Sequence, residues 1–170
     1  MRKLAIIPLA LIMLNCGGSK SLQESLKSQD TELSCPEDGE CTITVEHNKS
    51  IVTKTDDTGS LYYSTANHEG TDVVIYRYTK KHDPMLADAG LTEEVIFEID
   101  SNSKSLEYKD KAIKQTNMLY HVACFCKGRA GYYKVKSGEL TYKDNKLNIT
   151  LPEIVKPQKS FAKSVNAEEA

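Results

Sequence analysis

Tryptophan is absent from this 170-residue chain, and so are a basic cluster, a long apolar run, a Cys-x-x-Cys pair and a Gly-x-Ser-x-Gly segment. Each of the last four absences removes a class of function. Phosphate backbones need clustered Lys and Arg, so nucleic acid is not an expected partner. A membrane-spanning helix needs about 20 consecutive apolar residues, and the stretch from Leu4 to Leu14 stops well short of that. Without Cys-x-x-Cys or a two-histidine spacing there is no zinc-site or thioredoxin-type signature. Without the nucleophile elbow there is no hydrolase signature of that kind. No internal repeat is visible.

What is present points to strands. Nine tyrosines stand among many Thr and Val residues, the composition of a strand-rich protein. The length suits one domain with one hydrophobic core.

The N-terminus has its own character. Met1, Arg2 and Lys3 precede the apolar stretch, which ends abruptly at Asn15, Cys16, Gly17, Gly18 and Ser19. A charged start and a short apolar run are the parts of a secretory signal, and no small-x-small cleavage site follows. The segment resembles the lipobox of bacterial lipoproteins, with Met13 where Leu is commonest and Asn15 where Gly, Ala or Ser is usual. The resemblance implies removal of residues 1–15, a diacylglycerol on the Cys16 thiol and acylation of the new amine. Several acyl chains, at about 0.8 kcal/mol per buried methylene, anchor a protein stably to a bilayer. It also implies the outer membrane, because the inner-membrane retention signal is an Asp after the cysteine and Gly17 stands there. Twenty basic residues against twenty-four acidic ones remain from Cys16 onward.

Residues 16–34 read as the lipidated cysteine and a flexible tether, apolar only at Leu22, Leu26 and Leu33. Residues 35–155 form the folded domain, and 156–170 read as a disordered tail. Within the domain the pattern alternates with period two. Strands are expected around Ile43 and Val45, at Ile51–Thr53, Leu61–Ser64, Val73–Thr79 and Glu94–Asp100, at Leu106 and Tyr108, and at Thr116–Lys127 and Tyr132–Val135. A hairpin pairs Leu140–Tyr142 with Leu147–Leu151 across Asp144 and Asn145. On the Glu94–Asp100 strand, Val95, Phe97 and Ile99 face inward, and the other face is expected to be mostly wet. One helical turn is expected, capped by Asp83, with Pro84 first and Gly90 at the exit. The fold class is therefore all-β: a small antiparallel sandwich or barrel of about eight or nine short strands.

Cys35, Cys41, Cys124 and Cys126 remain once Cys16 is lipidated, and an even number in an oxidising compartment implies disulfides. On one extended strand Cys124 and Cys126 would sit roughly 6.5 Å apart, at the limit for a direct bond. The favoured pairing ties the Cys35–Cys41 segment to the Cys124–Cys126 strand. Each bond would close a loop of about 85 residues, worth roughly 4 to 5 kcal/mol of chain entropy. The alternative is a bond across the Pro36–Glu40 turn, which Gly39 permits.

Catalytic and metal readings are weaker. Glu94, Glu98 and Asp100 share a strand face, as paired carboxylates for glycoside hydrolysis would, but any solvated face looks the same. His47, His68, His82 and His121 are scattered. His121 has parity opposite to the cysteines on its strand, and His47 opposite to Cys41, which argues against copper or zinc held by both; no metal or cofactor is expected. Tyr62 with Tyr63, and Tyr132 with Tyr133, each place one ring inward and one outward rather than making a flat sugar platform. Ser137, Gly138 and Tyr142 distantly resemble the Ser-Gly-x-x-Tyr loop of lysozyme-inhibiting lipoproteins, with the tyrosine one place too far along, and we read nothing into it. The reading that remains is a non-enzymatic envelope module, lipid-anchored at Cys16, that binds a protein, glycan or small ligand or serves structurally. Its rivals are an envelope hydrolase with a carboxylate or histidine site and, behind it, a copper or zinc protein.

Overall fold

The alternation resolves into ten strands. The computed structural model describes residues 35–86, 88–143, 146–156 and 158. In chain order the strands are β1 (Gly39–Glu46), β2 (Lys49–Thr55), β3 (Leu61–Asn67), β4 (Thr71–Lys80), β5 (Leu91–Asp100), β6 (Leu106–Lys109), β7 (Leu119–Cys124), β8 (Gly131–Lys134), β9 (Glu139–Lys143) and β10 (Lys146–Thr150). They pair antiparallel in three sheets: five strands in the order β1-β4-β5-β7-β8, three in the order β10-β9-β6, and the β2-β3 hairpin. No sheet closes on itself, so the domain is an all-β sandwich rather than a barrel. The β9-β10 hairpin pairs as the sequence indicated, with residues 144 and 145 outside the described set. Residues 1–34, where the signal, Cys16 and the tether are expected, also lie outside it, as do 157 and 159–170 of the expected tail.

Turn chemistry sets the hairpins. Between β2 and β3, Asp56 Oδ1 accepts the backbone N–H groups of Thr58 and Ser60 at 2.9 Å each, and Gly59 takes φ 83°. The N–H of Gly59 closes the turn onto the Asp56 carbonyl at 3.0 Å. Aspartate and glycine favour such turns because one bonds its own downstream backbone and the other adopts positive φ without steric penalty.

β4 and β5 are apolar on both faces. Val74, Tyr76 and Tyr78 with Val95, Phe97 and Ile99 meet Leu106, Leu140, Tyr142 and Leu147 of the three-stranded sheet in the main core. Their neighbours of opposite parity make a second core: Val73, Ile96 and Leu119 pack with Ile51, Leu61 and Tyr63 of the hairpin. The wet face expected on β5 is therefore covered. Ile96 on that face is fully buried, and Glu94 is buried too. Strands shielded on both sides lose clean alternation and read as continuous apolar runs, which is how Val73–Tyr76 looks. Tyr62 faces out and Tyr63 in, whereas Tyr132 and Tyr133 serve the second and main cores respectively.

Three further expectations are corrected. The helical turn is at Asp110–Thr116, a 3-10 helix anchored by buried Ile113 and ended by Asn117 at φ 48°. Around Asp83 only turns form: Asp83 accepts the Met85 N–H at 2.9 Å as a cap would, but no helix follows among the described residues. The connection has only to reverse the chain between two antiparallel neighbours, and Pro84 and Gly90 punctuate turns as readily as helices. The long strand expected over Thr116–Lys127 is shortened to Leu119–Cys124, because the 3-10 helix takes its start and a bend at Phe125 its end.

The cysteines pair locally. Cys35 joins Cys41 across the Pro36–Glu40 turn, Cα to Cα 5.8 Å, where the Gly39 N–H bonds to the Pro36 carbonyl at 3.1 Å. Cys124 joins Cys126, the bend at Phe125 bringing their Cα atoms to 5.2 Å. The favoured long-range pairing fails on topology. β4 and β5 lie between β1 and β7, and three inter-strand spacings of about 4.8 Å separate the two segments by roughly 14 Å, beyond the reach of a disulfide. All four cysteines do pack against the main core.

Candidate functional site

On the hairpin side of the large sheet, one transverse row collects the polar groups most like a catalytic centre. Arg77 of β4 stands opposite Glu94 of β5, Glu94 opposite His121 of β7, and His121 opposite Tyr132 of β8. Directly opposed residues on antiparallel strands hold their side chains within contact distance. The Arg77 Nε–H donates to Glu94 Oε1 at 2.6 Å, and His121 Nδ1 lies 2.7 Å from Glu94 Oε2. The Tyr132 ring stacks on the imidazole, centroids 3.9 Å apart and planes 9° from parallel. Tyr63 of the hairpin meets Tyr132 edge-on at 5.3 Å.

The electrostatics follow from that row. Glu94 is held below the usual carboxylate range chiefly by the His121 hydrogen bond, with Arg77 adding to it against the opposing effect of burial. Burial, reinforced by the Glu94 charge, pushes the Tyr63 hydroxyl up to about 12. Tyr132 is raised for the same reasons.

A histidine oriented by a carboxylate is two thirds of a nucleophilic triad, but among the described residues no Ser, Thr or Cys hydrogen-bonds to His121. The remaining acids of that face have structural tasks. Glu98 accepts the Ile51 backbone N–H through Oε1 and Asn117 Nδ2 through Oε2 at 2.7 Å, pinning the hairpin to the sheet. Asp100 Oδ1 accepts the Asn102 N–H at 2.7 Å in a turn. His47 is spent on Asp72, 3.2 Å away. Burial would raise Asp72, but the Asn48 N–H, Ser101 and His47 outweigh it and keep its carboxyl low. Among the described residues no three His, Cys, Asp or Glu side chains gather as a metal ion would need.

A cavity of about 320 Å³ opens elsewhere, between β2, the end of the 3-10 helix, the start of β7 and the end of β8. Ile51, Met118, Leu119 and Val135 supply its apolar wall, and Lys114, Lys134 and Lys136 stand around it. Neither Glu94 nor His121 lines it. Lys134 and Lys136 also border a shallower recess of about 520 Å³ on the other flank of β8, toward Pro152 and Ile154. Ligand pockets generally combine such apolar walls with a few polar groups, at volumes from about 300 Å³ upward.

Sequence reasoning missed this cavity entirely. The alternation Lys134, Val135, Lys136 is a local trace of it, but Ile51 and Lys114 join only through the packing of the hairpin and the 3-10 helix. Cys16, the proposed lipidation site, lies outside the described residues. No protein-family model matches the chain, nor does any curated protein or solved structure.

Proposed function

We propose that the protein is an envelope lipoprotein, anchored through acylated Cys16 and favouring the outer membrane, whose β domain binds a ligand without transforming it. The observation that carries the binding half is the contrast between the two polar regions. The His121–Glu94–Arg77 row satisfies itself and sits away from the cavity, whereas the open cavity has apolar walls and cationic edges.

The placement of the exposed apolar residues supports the anchored half. Met85, Leu86 and Phe125 are 87%, 57% and 82% exposed. The register pairs Gly39 with Lys80 and Leu91 with Cys124, so the loops carrying these three residues share one end of the sheet with the point where the chain enters from Cys35. That end suits a lipid surface, and the cavity, built around Leu119 at the opposite end of β7, suits the aqueous side.

The test is metabolic labelling with palmitate followed by membrane fractionation. The expected result is a labelled protein in the outer-membrane fraction, with Cys16→Ala unlabelled and released. A wild-type product without label overturns the anchor. The rival hydrolase reading rests on the 2.7 Å His121–Glu94 contact. It gains ground only if His121→Ala abolishes a hydrolytic activity at a temperature where the variant is still fully folded.

A further inference from the structure

We infer that the cavity beside β8 is a binding site for a small singly charged anionic amphiphile, a short acyl or aryl chain ending in a carboxylate or comparable oxyanion. This deepens the binding-module reading and rests on it.

Three features of the cavity set the ligand class. Its lining is apolar at Ile51, Met118, Leu119 and Val135, and Ile51 of the hairpin packs in the second core beside Leu119. A free inorganic anion would make no use of that apolar lining. Its rim is cationic: Lys114, Lys134 and Lys136 make no ion pair with any described residue, in a chain whose charge after Cys16 is net negative. A plain hydrocarbon would crowd three ammonium groups without compensating them, whereas an oxyanion gains charge-assisted hydrogen bonds from them.

The third feature is size and balance. At about 30 Å³ per water molecule, 320 Å³ holds roughly ten waters, room for a ligand of about ten heavy atoms. Glu98 is tied to Ile51 and Asn117, both of which line the cavity, so one negative charge stands against the three lysines. Three lysines less Glu98 leave a surplus of two positive charges, which one carboxylate head does not exceed and a polyphosphate of three or more negative charges does.

The experiment is calorimetric titration of octanoate into the full chain held in lipid nanodiscs, with empty nanodiscs as the blank. Octanol and octyltrimethylammonium are titrated in parallel, since each keeps the apolar body and changes only the head. The expected result is saturable 1:1 binding of octanoate, at least tenfold tighter than either comparator and weakened by added salt. Lys134→Gln with Lys136→Gln, both at exposed positions, should weaken octanoate at least tenfold, and Lys134→Arg with Lys136→Arg should retain it. Equal affinity for octanol, no binding of octanoate, or a Gln variant that binds like wild type would each overturn the assignment. Palmitate incorporation at Cys16, measured on the same preparation, separates the two levels. Label without octanoate binding sinks the ligand class alone, and absence of label sinks the anchored reading.

Discussion

Ile96→Ala is the substitution that most directly probes the three-layer arrangement. On a strand with one wet face, position 96 would tolerate alanine. In the structure Ile96 is fully buried, and its side chain lies with Val73 and Leu119 under Ile51, Leu61 and Tyr63 of the hairpin. Removing three carbons forfeits about 2.4 kcal/mol at roughly 0.8 kcal/mol per methylene. An unrelaxed void of about 40 Å³ adds about 1 kcal/mol at roughly 24 cal/mol per Å³. The expected loss is therefore about 3 kcal/mol, or roughly 10 to 15 °C in the midpoint of a domain this size. Urea unfolding followed by circular dichroism measures it, with Tyr62→Ala as the comparator. Tyr62 is 43% exposed on the same hairpin, and its truncation should cost under about 1 kcal/mol. A loss at Ile96 within about 0.5 kcal/mol of wild type would mean that the hairpin does not cover β5, and the second core would have to be abandoned.

Other outcomes follow from particular contacts. Glu94→Gln should lower stability at neutral pH by about 1.5 to 3 kcal/mol, the range for a hydrogen bond to a charged group. Because the folded-state pKa of Glu94 is depressed, its contribution is complete above the unfolded value near 4.3 and fades as pH falls through the folded one. Urea midpoints from pH 7 to 3 should thus fall less steeply in the variant, and parallel curves would contradict the assignment. Gly138→Ala should be severe, above about 2 kcal/mol, because a Cβ there would stand 2.7 Å from the Thr150 carbonyl oxygen at φ 148°; an unchanged melting midpoint refutes it. A tryptic digest without reductant should hold each cysteine pair inside one peptide, residues 28–49 and 115–127, each two mass units light. A cross-linked species joining the two peptides would restore the long-range pairing.

The alternation of Ile43, Val45, Val95, Phe97 and Ile99 was legible because each sits on the main core face of its strand, where period two survives. The second core was not. Ile96, Val73 and Leu119 look like interruptions of the pattern until the β2-β3 hairpin is folded over them, and nothing local in Lys49–Thr55 says which face it will cover. The same gap explains the cysteines. Parity correctly turned Cys41 and Cys124 toward the interior, but whether they meet depends on strand order, and two strands intervene. Glu94 and His121 were each noticed and never joined, because their 27-residue separation becomes a direct cross-strand pair only in the final register. The hairpin of Leu140–Tyr142 with Leu147–Leu151 fared best, since its two strands are neighbours in the chain.

The double-sided burial of β4 and β5 also governs how the chain survives before it is folded. Val73–Tyr76 and Val95–Phe97 are short uncharged runs of β-formers, the composition that favours strand-to-strand association when bare. Both are bracketed by charge: Asp72 and Arg77 flank the first, and Glu94 and Glu98 the second. Such gatekeepers discourage self-association. They are needed during synthesis, because the sheet that shelters the main face of these strands includes β9 and β10, which leave the ribosome after β4 and β5. A ribosome stalled before Leu140 would display the stickiest surface of the molecule with only those charges to keep neighbouring chains apart.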